Sequence, residues 1–269
     1  MGSWEWFVSA FRQRSGMDLS AYKRPQMERR IQSFMAGVGA ADFPQLVRMV
    51  EADRELYRRF VDHLTINVSE FFRNPQHWEV LRERVIPMLL ARRRPLQVWS
   101  AGCSTGEEPY SLALLMREYF PGACERILAT DIDAEALERA AAGRYRERVL
   151  EQVPRAMLER YFQRDGAGLR VNDSIRSMVR FQRHDLVRDP PPPAMDLILC
   201  RNVVIYFTES AREHVYRGFV RALRPGGVLF VGSTEQVFQA AELGLEHLDT
   251  FFYRAVGAGP LPHGGCSAG

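Results

Sequence analysis

Residues 98–111, VWSAGCSTGEEPYS, join an apolar strand signal to a turn of small residues and two adjacent carboxylates. Within the turn 101–106, Gly102 and Gly106 would let a ligand approach bare backbone. Glu107, Glu108 and Pro109 suit the first turn of a following helix. Carboxylates complement its positive end, and proline gives up only an N–H that has no partner there. The next apolar run, 127–130, ends in Asp131 and Asp133. A glycine turn after one parallel strand and an acid after the next form a nucleoside site: backbone faces the ligand and the acid holds ribose hydroxyls. Three further stretches carry side chains able to meet such a ligand: TINVSEFFR (65–73), His184-Asp185-Leu186 and CRNVVIYF (200–207).

The elements that must position these groups follow from apolar spacing. Residues 1–73 place apolar side chains three and four apart, which predicts helices over 4–14, 24–35, 43–52 and 54–67. A connecting helix is expected over 76–94, bent or ended in its first half by Pro87. From Pro95 the pattern changes to strands alternating with helices, an α/β arrangement with a mostly parallel sheet covered on both faces. Strands are expected at 96–100, 127–131, 179–183, 196–200 and 228–232, with helices at 109–120, 134–142 and 208–223. The RPGG segment 224–227 reads as a tight turn, and 245–256 as a closing hairpin. About 145–178 interrupts the alternation and reads as an inserted subdomain with a helix at 155–162 and a short hairpin near Asp165-Gly166. The Gly/Pro/Ala/Ser-rich tail 257–269 is expected to be disordered. In such a sheet, residues 200–207 leave the fourth strand beside the first, across the switch point where ligands bind. Residues 184–186 leave the third strand toward an adenine amino group, and 65–73 would cap the ligand from above.

Composition narrows the function. A chain of 269 residues with 46% hydrophobic content can bury a full core, and a net charge of +3 supplies no electrostatic case for nucleic acid. There is no apolar run of membrane-spanning length and no charged-then-apolar start, so no membrane insertion and a cytoplasmic location are expected. Cys103, Cys124, Cys200 and Cys266 are scattered without a C-x-x-C pair, which argues against disulfides and against a metal. The turn also lacks the third glycine of the dinucleotide fingerprint, and paired glutamates at a helix start repel a pyrophosphate. A ligand with hydroxyls and positive charge but no phosphate fits better. S-adenosylmethionine (AdoMet), with a ribose, an ammonium and a sulfonium, is the expected cofactor, and S-adenosylhomocysteine (AdoHcy) the product.

In this order, TINVSEFFRN, WSAGCSTGEEPYS, ATDID, CRNVVIYF and GSTEQVF resemble the chemotaxis receptor methyltransferases of the CheR type, over about residues 5–254. The short insert and the GSTEQVF…DTFFY ending are more similar to the Gram-positive branch of that family than to the enteric one. The resemblance implies a small all-α domain (1–73), a linker (74–94) and an AdoMet-dependent methyltransferase domain (95–256). That domain would be Rossmann-like, a mostly parallel seven-stranded sheet with a terminal antiparallel hairpin and a small inserted β-subdomain. The implied activity is methyl-ester formation on glutamate side chains of chemoreceptor cytoplasmic helices. Asn67, Ser69 and Arg73 fall where the family contacts the cofactor from the N-terminal side. Gly102, Glu108, Asp131, Asp185, Leu186, Arg201 and Asn202 supply the remaining expected cofactor contacts, and Arg73 and Tyr206 match positions at the reacting centre. Family members often carry Thr where Ser69 stands and Asn where Asp185 stands; the serine keeps the hydroxyl, whereas the aspartate keeps only an acceptor.

A glutamate acceptor has an ordinary pKa of about 4.3 and is anionic at neutral pH, so positioning rather than a general base is the expected source of rate. Arg73 is expected to hold that carboxylate bidentately and Tyr206 to orient it. Glu107 is assigned to the helix start, and Asp133 to the N-cap of the next helix. The basic run 22–30, with Lys23, Arg24, Arg29 and Arg30, is expected to dock acidic receptor helices, and the chain to act as a monomer. The loop around 165–168 is short for recruiting a receptor's C-terminal peptide. The alternatives are a non-catalytic AdoMet-binding sensor or scaffold at chemoreceptors, and an AdoMet methyltransferase with another acceptor. The first should have lost Arg73 or Tyr206, and both are present.

Overall fold

The structure is a computed structural model and describes residues 2–15, 17–65 and 69–256. Four helices open the chain: α1 (Trp4–Ser15), α2 (Arg24–Val38), α3 (Phe43–Ala52) and α4 (Arg54–Leu64). Their starts are encoded locally. Asp42 and Asp53 accept N–H bonds from the first turns of α3 and α4, and proline sits in the first turns of α2 and α3. Leu56, Phe60 and Leu64, four residues apart, put one face of α4 into a core with Phe7, Phe11, Ile31 and Leu46. Phe11 meets Phe60 edge-to-face at 5.4 Å. The last helix ends at Leu64 rather than at 67, and the Thr65 backbone N–H closes its final turn on the Val61 carbonyl.

A connecting rod follows, α5 (Pro75–Val80) and α6 (Ile86–Leu90), joined by a π turn over Leu81–Val85. Pro87, expected to bend or end the helix, does not end it: the wider turn lies just ahead of it. Widening moves the carbonyl four residues back away from the proline ring, and the rod runs on to Leu90.

The remaining elements are β1 (Val98–Ala101), α7 (Glu107–Tyr119), β2 (Ile127–Asp131), α8 (Ala134–Ala142), β3 (Arg144–Tyr145), α9 (Arg155–Tyr161), β4 (Phe162–Asp165), β5 (Gly168–Val171), α10 (Asp173–Arg176), β6 (Val179–Arg183), β7 (Met195–Cys200), α11 (Glu209–Ala222), β8 (Leu223–Val231), β9 (Leu245–Asp249) and β10 (Phe252–Ala255). Seven strands form one sheet in the order β6-β2-β1-β7-β8-β10-β9. The first five are parallel, and β10 and β9 close the sheet as an antiparallel hairpin. Every residue of β1 and β7 is buried, as strands covered on both faces require. One face packs under α7 and the connecting rod, the other under α11. Strands β3, β5 and β4 make a separate three-stranded antiparallel sheet. The expected RPGG turn is absorbed into β8. Leu223 still pairs with Met195 and Val228 with Leu197, so residues 224–227 bulge out, with Gly226 at φ +79°. The chain steps outward from β1 to β2 and β6, then returns to the other side of β1 as β7. The switch point therefore lies between β1 and β7.

Candidate active site

A cavity of about 1240 Å³, open mouth included, lies over the carboxyl ends of β1, β2, β6 and β7 and under the helical segment. Ser69, Arg73, Gly102, Glu108, Asp131, Asp185, Leu186, Arg201, Asn202 and Tyr206 all line it. These are all the expected site residues except Asn67, which lies outside the described residues.

The floor is the turn after β1. Gly102 N–H and Cys103 N–H both donate to the Thr130 carbonyl, at 2.8 and 2.9 Å, so β2 consumes the first donors of the turn. Gly102 is left-handed at φ +77°, and a Cβ there would come 2.5 Å from Val203 Cγ2. Gly106, at φ +94°, would put a Cβ 2.9 Å from Ala140 Cβ. The bare backbone of both glycines thus also admits neighbouring protein segments, and of the two only Gly102 is among the described residues that line the cavity. Ser104 N–H donates to Asp131 Oδ2 at 2.8 Å, and Asp133 N–H to Asp131 Oδ1 at 3.0 Å. Each carboxylate oxygen thus carries one backbone donor and retains capacity for a ligand hydroxyl. Burial lifts the Asp131 carboxyl to about 6, against the pull of those backbone bonds. Asp133 caps α8 as expected, and its other oxygen accepts from Thr65 Oγ1 at 2.8 Å, tying α4 to the sheet.

Glu107 and Glu108 divide their work. Glu107 is buried and accepts from Thr105 Oγ1 within its own turn, and burial raises its carboxyl. Glu108 lines the cavity, accepts from Ser100 Oγ at 2.8 Å and lies 3.9 Å from the Arg201 guanidinium. Burial raises its carboxyl, and Arg201 opposes the rise.

Arg73 is placed by its neighbours. Phe71 packs edge-on against Tyr145 at 4.9 Å, and Phe72 against Trp78 at 5.4 Å. The Phe72 N–H donates to Ser111 Oγ on α7. The Arg73 carbonyl accepts from Trp78 Nε1 at 3.1 Å and from Arg201 Nη2 at 2.7 Å. Two buried aromatics and two donors therefore fix the backbone from which the Arg73 side chain enters the cavity. Arg201 also donates to Asn74 Oδ1 at 3.0 Å and lies over Phe230 at 4.6 Å, so its fork clamps the 73–74 segment. On the other strand ends, Asp185 Oδ1 accepts from Val187 N–H at 2.9 Å, and burial raises its carboxyl. His184 is buried edge-on to Trp99 at 5.5 Å, and burial lowers its pKa.

Tyr206 ends a 3₁₀ turn, Val204–Tyr206, that is stitched to the helical segment. Lys23 N–H donates to the Tyr206 carbonyl at 2.9 Å, Thr208 N–H to the Ala21 carbonyl at 2.8 Å, and Tyr22 bridges Phe207. Burial raises the Tyr206 phenol, with Arg30 and Arg73 opposing. The expected basic docking run is redistributed. Lys23 and Arg30 line the cavity, and Arg30 donates to the carbonyls of His63 and Thr65 at the end of α4. Arg24 pairs with Glu5 and Glu28, leaving Arg29 exposed on the outer face. Long side chains reach either side of a helix, which is why spacing alone did not separate them.

Sequence reasoning missed Met17, Tyr22, Met27 and Ile132, which add apolar lining to the cavity. Tyr22 had been absorbed into the basic run. Taken together, Glu108, Asp131, Asp185 and the buried Asn202 Oδ1, which has no partner among the described residues, present acceptors to whatever binds. A donor-rich, cationic, phosphate-free ligand such as AdoMet fits that set.

Two family models match in succession. The CheR methyltransferase all-alpha domain matches residues 3–65, and the CheR methyltransferase SAM binding domain matches residues 67–250. A chemotaxis protein methyltransferase of Listeria innocua is 41% identical over 249 residues, covering 92% of this chain and 95% of that protein. A chemotaxis protein methyltransferase of Salmonella typhimurium is 37% identical over 236 residues, covering 83% of this chain and 80% of that protein.

Proposed function

Because the chain belongs to the CheR methyltransferase family, we propose that it methylates glutamate side-chain carboxylates on the cytoplasmic helices of chemoreceptors. The observation that carries this reading is the division of one cavity. Glu108, Asp131 and Asp185 line its sheet side beside Arg201; Lys23, Arg30 and Arg73 line its helical side beside Glu70; and Tyr206 stands on the turn after β7 that is bonded to the helical segment.

AdoMet, when bound, supplies a methyl group activated by a positive sulfur. Asp131 offers ribose hydroxyls a carboxylate already oriented by two backbone N–H groups. Glu108 and Asn202 would offer further acceptors to the bound cofactor. On the opposite side, Arg73 attracts and aligns the acceptor carboxylate, with Lys23 and Arg30 adding positive potential. Tyr206 orients that carboxylate with a phenol that burial keeps protonated. Binding between the two sides strips water from the carboxylate, and alignment of the two partners carries the rate. Among the described residues no helix is long and apolar enough to cross a membrane.

The test is incubation with methyl-labelled AdoMet and a receptor cytoplasmic fragment, followed by mild base. Label released as methanol is expected from a glutamate ester. Base-stable label, or tight AdoHcy binding with no transfer to several receptor fragments, would refute this acceptor.

A further inference from the structure

Glu235 does not line the cavity, yet it governs the segment that does. It follows β8 in the turn 232–235 and is 3% exposed. Its Oε1 accepts from Val203 N–H at 2.7 Å and Val204 N–H at 2.9 Å. Its Oε2 accepts from Gly232 N–H at 2.9 Å and from Asn202 N–H. Four backbone donors converge on one carboxylate, a nest built around an anion. Three of them belong to the start of the 3₁₀ turn that ends in Tyr206, where donors have no partners of their own.

The surroundings are shaped for this contact. A Cβ at Gly232 would collide with Glu235 Oε2 and lie 2.9 Å from the Asn202 nitrogen, so only glycine admits the approach. Tyr216 holds Glu235 from behind, its hydroxyl donating to the Glu235 carbonyl at 3.2 Å. Asn202 sits in the left-handed region at φ +60°, a conformation that asparagine adopts more readily than most residues with a side chain. Its Oδ1 is buried without a partner among the described residues.

We propose that Glu235 is a positioning residue for methyl transfer: its carboxylate holds the 202–206 turn so that Asn202 faces the cofactor and Tyr206 faces the acceptor. The proposal rests on the cofactor reading given above. An amide at 235 keeps one acceptor oxygen but aims an NH₂ group at two N–H groups, and so loses about half of the nest.

The experiment compares Glu235→Gln, Asn202→Ala and the double variant. AdoHcy binding is measured by calorimetry, and single-turnover transfer at saturating AdoMet well below the melting temperature. Glu235→Gln is expected to weaken AdoHcy about tenfold and to slow transfer about 30-fold per folded molecule. Combined with Asn202→Ala it should cost no further AdoHcy affinity beyond about twofold, because both act through one group. Glu235→Asp keeps the charge on a shorter arm; it should fall between wild type and the amide, and it carries the test if the amide variant does not fold. Wild-type affinity and turnover per folded molecule in the Glu235 variants, whatever their melting temperature, would overturn the proposal. So would a fully additive loss in the double variant, or unchanged AdoHcy affinity in Asn202→Ala alone. Failure of the unaltered protein to bind AdoHcy would instead overturn the cofactor reading, and the proposal with it.

Discussion

The two walls of the cavity are built on different physics. On the sheet side the polar groups are already held by short local bonds: Asp131 by Ser104 and Asp133, Glu108 by Ser100, Asp185 by Val187. On the helical side three of the charged groups are long cations, Lys23, Arg30 and Arg73, carried on a helix start, a helix and a loop, with Glu70 as the one carboxylate among the described lining residues of that side. The first wall is preorganised and suits a cofactor bound in one pose. The second extends charge toward an anionic partner that must arrive and leave. Loss of a residue from one wall should therefore damage one kinetic quantity and spare the other.

The largest expected effect tests that division directly. Arg73→Ala should lower the transfer rate at saturating AdoMet by about 100-fold, the loss of one charge-assisted contact in the transition state, with AdoHcy affinity within about threefold of wild type. Loss of cofactor affinity with an unchanged rate would put Arg73 on the wrong wall. Next in size is Asp131→Asn. It should weaken AdoHcy by about 10- to 50-fold, in line with a hydrogen bond to a charged acceptor, while leaving the rate at saturation nearly unchanged. Calorimetry and single-turnover kinetics separate the two quantities in both variants.

Much of the preorganised wall was legible in the sequence, and less of the other. The turn 101–106, Asp131 and the order of parallel strands follow from local pattern, since periodicity fixes which strand end carries which residue. The Asp133 cap was also readable, because an aspartate before a helical run has few other uses there. What the glycines make room for was not. Gly102 yields to Val203 and Gly106 to Ala140, and both neighbours arrive from remote segments. Glu235 stands in a recognised stretch without a role, since nothing local announces that three distant N–H groups, from residues 202–204, will join that of Gly232 on its carboxylate. Arg30 and Arg29 are adjacent in sequence, and only the packing of α2 on α4 sends one inward and leaves the other out.

A smaller effect sharpens the sheet side through its titration. Burial raises the Asp131 carboxyl from 3.8 to about 6, and its ionised form is the one that accepts from hydroxyls. AdoHcy affinity should therefore fall about tenfold between pH 7.5 and pH 5, and Asp131→Asn should flatten that part of the profile. Stability of the free protein carries the opposite sign. A carboxyl raised on folding stabilises below its unfolded pKa, and that contribution is lost as pH rises through about 6. Wild-type melting without cofactor should thus gain from this group on acidification, relative to Asp131→Asn, while binding weakens. Parallel trends in the two measurements would show that a different group dominates the site.

The smallest effect concerns the outer face of the helical wall. Arg29 is exposed, Arg24 is engaged by Glu5 and Glu28, and Arg30 is anchored to the end of α4. If acidic receptor helices dock on α2, Arg29→Glu should weaken association with a receptor fragment by about two- to fivefold, the range of an exposed charge contact. The loss should shrink as salt rises from 50 to about 300 mM, because screening removes a surface contact sooner than a buried one. Arg24→Glu should do less, since its charge is already opposed by two carboxylates. Neither variant should alter AdoHcy affinity, which belongs to the other wall. Receptor affinity indifferent to both salt and Arg29→Glu would move docking off α2 and leave the cations inside the cavity as the only basic groups of this region that meet the substrate.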